Sequence, residues 1–171
     1  MAKVDIRHLR LISRQRQKSV GMLASEKNRL HKVLTDAGIR LGVVVSDLHR
    51  LSARLMIKAI IAGKSVLDVM SLASNRLHAS REEIFESLQA EDLTPSHRFV
   101  LAEIMAHIEG LEERIARFDA ELLRCLREAG YTIPLQLLQT LPGIDLIGAA
   151  MLLVEIGGDT SVFGSAQRLA S

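Results

Sequence analysis

Tryptophan is absent from this chain of 171 residues, and one tyrosine and four phenylalanines are its only other aromatic side chains. So few rings exclude a β-sandwich or small barrel, whose pleated faces draw on aromatic and alternating β-branched residues. A single cysteine, Cys125, excludes an internal disulfide and fits a reducing compartment. No apolar run approaches the ~20 residues that a membrane-spanning helix needs. The longest run, Leu55 to Ala62, is interrupted by Lys58, and the opening Met1-Ala2-Lys3-Val4-Asp5-Ile6-Arg7 has no apolar core of a secretory signal. These absences predict a soluble, cytoplasmic protein with no membrane partner.

What is present is a helix-forming mixture. Leu, Ala, Ile, Met, Arg, Glu and Ser dominate a chain that is 48% apolar, which predicts an all-α fold with one ordinary core or a small core plus extended helices. The net charge of +2 conceals an asymmetry. Residues 1–40 hold ten cations against three carboxylates, a surplus of seven, so the remainder sums to −5. Arg10, Arg14, Arg16, Lys18, Lys27, Arg29 and Lys32 in this stretch are candidates to lie along a phosphate backbone, a contact that salt weakens steeply. The competing reading is a solvated helix face pairing with acidic segments.

The first long helix is expected from about Ile6 to Ala37, ending at Gly38, with Leu9, Val20, Leu23, Leu30, Leu34 and Ala37 on one seam interrupted by Ser13, Arg16 and Lys27. Val43-Val44-Val45 reads as an extended link. Ser46 or Asp47 then caps a helix reaching Ala62 and stopped by Gly63. Shorter helices come next over Ser65–Leu77 and from Ser80, where Ser80-Arg81-Glu82-Glu83 fits a capping box. Thr94-Pro95 opens the clearest helix, since proline at the first helical position loses nothing by lacking an N–H. From there Leu101, Ile104, Ile108, Leu111, Ile115, Phe118 and Leu122, with Cys125, keep a 3-4 spacing among charged positions: a coiled-coil seam ending near Gly130. A rod of that length spans roughly 50 Å. The expected architecture is therefore long antiparallel coiled-coil helices with short intervening helices, the seam also serving homo-oligomerisation. A purely intramolecular bundle is the alternative.

Tyr131-Thr132-Ile133-Pro134 reads as a linker. Beyond it, a short apolar helix (Leu135, Leu138, Leu141) meets Pro142-Gly143, and a second apolar helix begins at once and ends at Gly157-Gly158. Asp159 to Gly164 reads as a loop, and Ser165 as the cap of a last helix. Such a helix-hairpin-helix can grip a phosphate with the unpaired N–H groups and positive end of its second helix, reading backbone rather than base sequence. Gly143, Ile144, Asp145, Leu146 and Gly148 are the candidate contacts. The plainer reading is a tight structural turn.

Other chemistry finds little support. His8, His31, His49, His78, His97 and His107 include no His-x-x-x-His pair and no cysteine companion, so no metal site is expected. Glu82-Glu83 and Glu112-Glu113 are adjacent and diverge on a helix, which argues against acid–base work. Gly157-Gly158 comes after a helix and suits a helix stop, not a phosphate loop.

Leu141-Pro142-Gly143-Ile144, Ala150-Met151-Leu152-Leu153-Val154-Glu155-Ile156-Gly157, Asp159, Phe163-Gly164-Ser165-Ala166 and Leu169-Ala170-Ser171 closely resemble the C-terminal domain of transposases of insertion-sequence family 110. The upstream Ile6-Arg7-His8-Leu9-Arg10, Arg14-Gln15-Arg16, Lys27-Asn28-Arg29-Leu30-His31-Lys32, Ala37-Gly38-Ile39 and Ser46-Asp47 are similar to that family's central helical region. The resemblance implies a helical coiled-coil and oligomerisation region over 1–130 and a truncated C-terminal transposase domain over 131–171. It also implies an intact enzyme with a RuvC-like acidic quartet before this chain and a nucleophilic serine after it. Asp5 stands alone, and Ser161, Ser165 and Ser171 sit in the wrong places, so no catalytic residue is carried over.

The resemblance thus implies a fragment of a DNA transposase or recombinase, silent in catalysis alone. It would have no cofactor of its own, though the intact enzyme would use Mg2+. Its partners would be DNA, in some members a structured guide RNA, and further copies of itself. It would be nucleoid-associated. The alternative is a non-catalytic all-α scaffold. Nuclease activity in this chain ranks last for want of clustered carboxylates.

Overall fold

The computed structural model describes residues 6–45, 48, 51–74, 78–89 and 93–157, with Ile6 and Arg7 described by backbone alone. These residues form eight helices and no strand: α1 (Ile6–Asp36), α2 (Leu41–Val44), α3 (Leu51–Ile61), α4 (Val66–Ser71), α5 (Arg81–Leu88), α6 (Pro95–Glu128), α7 (Thr132–Gln139) and α8 (Leu146–Ile156). The all-α expectation holds. The chain folds as two compact units, one of Met1–Gly21 with Glu112–Ser171 and one of Met22–Leu111.

In the Met22–Leu111 unit, Leu30, Leu34, Ile39, Leu41, Met56, Ile57, Leu101 and Ile108 are fully buried and form one aliphatic core with Ile84, Leu88 and Ile104. Here α1 and α6 run antiparallel: Glu26 faces His107 at 3.6 Å, and Asp36 faces His97 at 3.1 Å. Lys58 ties α3 to Glu109 of α6. The N-terminus of α6 is closed by a variant capping box. Thr94 Oγ1 accepts the His97 N–H at 3.2 Å, and the Thr94 N–H donates to His97 Nδ1 at 3.2 Å. Because Nδ1 accepts, the ring proton sits on Nε2 and points at Asp36. Histidine thus takes the place that glutamate holds at Ser80-Glu83, where both reciprocal bonds are present.

In the other unit, Leu9, Leu122, Leu126, Leu135, Ala149, Ala150, Leu153 and Val154 make a second core. Ala149 and Ala150 have no exposed surface, and their small side chains let backbones approach closely. Glycine ends α1 and α6 in the same way. Gly38 and Gly130 adopt positive φ (79° and 86°), and the next residue returns its N–H five positions, Ile39 to Leu34 O and Tyr131 to Leu126 O. Both stops therefore use backbone bonds alone.

Several sequence expectations are corrected. Val20 is exposed and Ser19 takes the buried place beside it, because the Ser19 hydroxyl satisfies itself on Gln15 O at 3.0 Å. Val43 and Val44 belong to the short helix α2, and only Val45 is extended. The helix expected over Ser65–Leu77 stops at Ser71. Tyr131–Pro134 is no linker: α7 starts at Thr132, with Pro134 in its first turn, where a missing N–H costs no helical bond. The expected caps at Ser46, Asp47 and Ser165, the 159–164 loop and Leu77 lie outside the described residues.

Leu30→Ala should cost about 2–5 kcal/mol in urea unfolding, whereas Val20→Ala should stay within about 1 kcal/mol. A second outcome concerns acid. The Glu121 carboxyl is held down to about 2 from 4.5 by hydrogen bonds from Arg124 (2.9 and 2.7 Å) and from the Cys125 thiol. A lowered folded value means that the pair adds stability above pH 4.5 and loses it as pH falls towards 2. In a pH series of unfolding curves, Glu121→Gln should therefore lose less stability than the parent across that window.

Candidate nucleic-acid interface

Two features were expected to meet a phosphate backbone, the hairpin and the basic face of α1, and they fare differently. At the hairpin, the Ile144 N–H donates to Leu141 O at 3.2 Å with Pro142 and Gly143 between them. Gly143 has φ 84°, the positive value that the third position of a type II turn requires. Asp145 is the N-cap of α8, and its carboxylate accepts the Gly148 N–H at 2.6 Å. A carboxylate therefore already satisfies part of the helix start and places negative charge beside it. Residues 131–157 contain Asp145 and Glu155 and no lysine or arginine. The outer surface is aliphatic instead: Ile133, Leu137, Leu141 and Leu146 are exposed.

The seven cations of α1 separate into two groups. Arg10 serves the hairpin, donating from Nε to Val154 O at 3.3 Å and from Nη2 to Glu155 O at 2.9 Å. A guanidinium on those carbonyls satisfies the open end of α8 and opposes its negative pole. One turn on, Ser13 Oγ donates to Met151 Sδ at 3.3 Å. Arg16 forms a two-point pair with Asp119, both side chains about one-fifth exposed. Lys27 is half-buried and engaged. Arg29 is 63% exposed, with Glu26 at 3.7 Å. Arg14, Lys18 and Lys32 are exposed and have no hydrogen-bond or ion-pair partner among the described residues. Arg14 and Lys18 lie in one unit, one helical turn apart, and Arg29 and Lys32 lie in the other.

The α6 positions assigned to oligomerisation are placed inward. Leu101, Ile104, Ile108, Leu111 and Leu122 are buried in the single chain, and Ile115 and Phe118 are half-buried. Arg114 lies over the Phe118 ring, 5.7 Å from its centre.

Among the described residues no group of three or more His, Cys, Asp or Glu side chains is placed to hold a metal ion. The Cys125 thiol is pushed up chiefly by burial, then by its bond to Glu121, and is poorly nucleophilic. No described helix is long and apolar enough to cross a membrane. Sequence reasoning missed two cations that line one cavity, Lys64 and Arg98. They are far apart in the chain, and no motif joins them.

Residues 135–171 match the model of the family described as Transposase IS116/IS110/IS902. Comparison with curated proteins and with solved structures gives no match. The matched stretch begins inside α7 and takes in the turn and all of α8.

Removing the cap by Asp145→Ala should destabilise the unit that holds it by about 1 kcal/mol. Arg10→Ala, which frees two carbonyls at the other end of the same helix, should cost about 1–3 kcal/mol. Denaturant midpoints measure both.

Proposed function

We propose that this chain works in DNA transposition, as the part of a transposase similar to the IS116/IS110/IS902 family that holds nucleic acid and does not cut it. The match over residues 135–171 is the observation that carries this reading. It is supported by the outward cations of α1, which can bind phosphates as point charges without reading base sequence. In this reading Arg14, Lys18, Arg29 and Lys32 are the phosphate contacts. Arg10 and Arg16 hold the protein together, through α8 and Asp119. Contacts of this kind accept duplex DNA and structured RNA alike, so a guide RNA would use the same side chains. Self-association uses faces other than the α6 seam, whose Leu101, Ile104, Ile108, Leu111 and Leu122 already fill the chain's own interior.

A second reading is favoured for the hairpin itself. The Asp145 cap and the absence of any cation from residues 131–157 suit a structural turn better than a phosphate grip. Gly143, Ile144, Leu146 and Gly148 then shape the elbow and touch no nucleic acid.

A labelled duplex titrated at rising salt tests both readings by anisotropy. The parent should bind at low salt with a linear fall of log affinity against log salt. Each of Arg14→Gln, Lys18→Gln, Arg29→Gln and Lys32→Gln should lower that slope by about one, and the fourfold variant should bind at least tenfold more weakly. Gly143→Val should leave the affinity unchanged if the hairpin is a turn. Absence of binding at low salt would overturn the nucleic-acid role, and strand cleavage by the purified chain with Mg2+ would overturn the non-cutting one.

A further inference from the structure

We draw no further inference here: the strongest candidate, the surface patch of exposed aliphatic side chains Ile133, Leu137, Leu141 and Leu146 on α7, its turn and the start of α8, carries none because nothing in the structure shows what covers it.

Discussion

Leu101, Ile104 and Ile108 close one hydrophobic core, and Leu122 and Leu126 close another, so a single helix supplies a wall for two separate sets of apolar faces. In a chain without tryptophan the burial has to come from aliphatic side chains, each contributing about 1.5–3 kcal/mol when fully buried. Within each unit the 3-4 spacing along α6 turns these residues towards that unit's own core. That constraint also fixes where charge can go: positions off the seam carry Glu103, Glu113, Arg117, Glu121 and Arg124, and the long helix stays wetted on its outer face.

The interior of α6 was legible because its signal is redundant. Eight apolar residues in unbroken phase outweigh any single exception, and all eight are buried or half-buried. Its ends were legible for a similar reason, since Thr94-Pro95 and Gly130 are residues whose backbone chemistry permits little else. The stripe on α1 was read less well. Val20 has the hydropathy of a core residue but the wrong phase, while Ser13 and Ser19 have the right phase and hide a hydroxyl by bonding it to a neighbouring sulfur or carbonyl. Hydropathy alone cannot register a serine whose hydroxyl finds a partner inside the fold.

The site was legible as composition and not as assignment. The surplus of cations at the start of the chain is real, yet their roles depend on long-range contacts that no local pattern encodes. Arg10 reaches a carbonyl 145 residues away, and Arg16 an aspartate 103 residues away. Such pairs become visible only when the fold brings them together, and the same is true of Lys64 and Arg98 at their cavity. At the hairpin the reverse holds. Pro142-Gly143 announces the turn, and Asp145 one residue before an apolar run announces the cap. The same aspartate that makes the helix start easy to recognise argues against an anion there.

The backbone-only stops at Gly38 and Gly130 carry a further consequence. Their hydrogen bonds join uncharged amides and carbonyls, and the residues just beyond them, Ile39 and Tyr131, pack by apolar contact. Mobile ions screen neither kind of interaction appreciably. Concentrated electrolyte would thus weaken surface ion pairs, such as that of Arg29 with Glu26, while the corners of the chain keep their shape. The two bends are set by uncharged groups and would hold across a wide range of ionic strength.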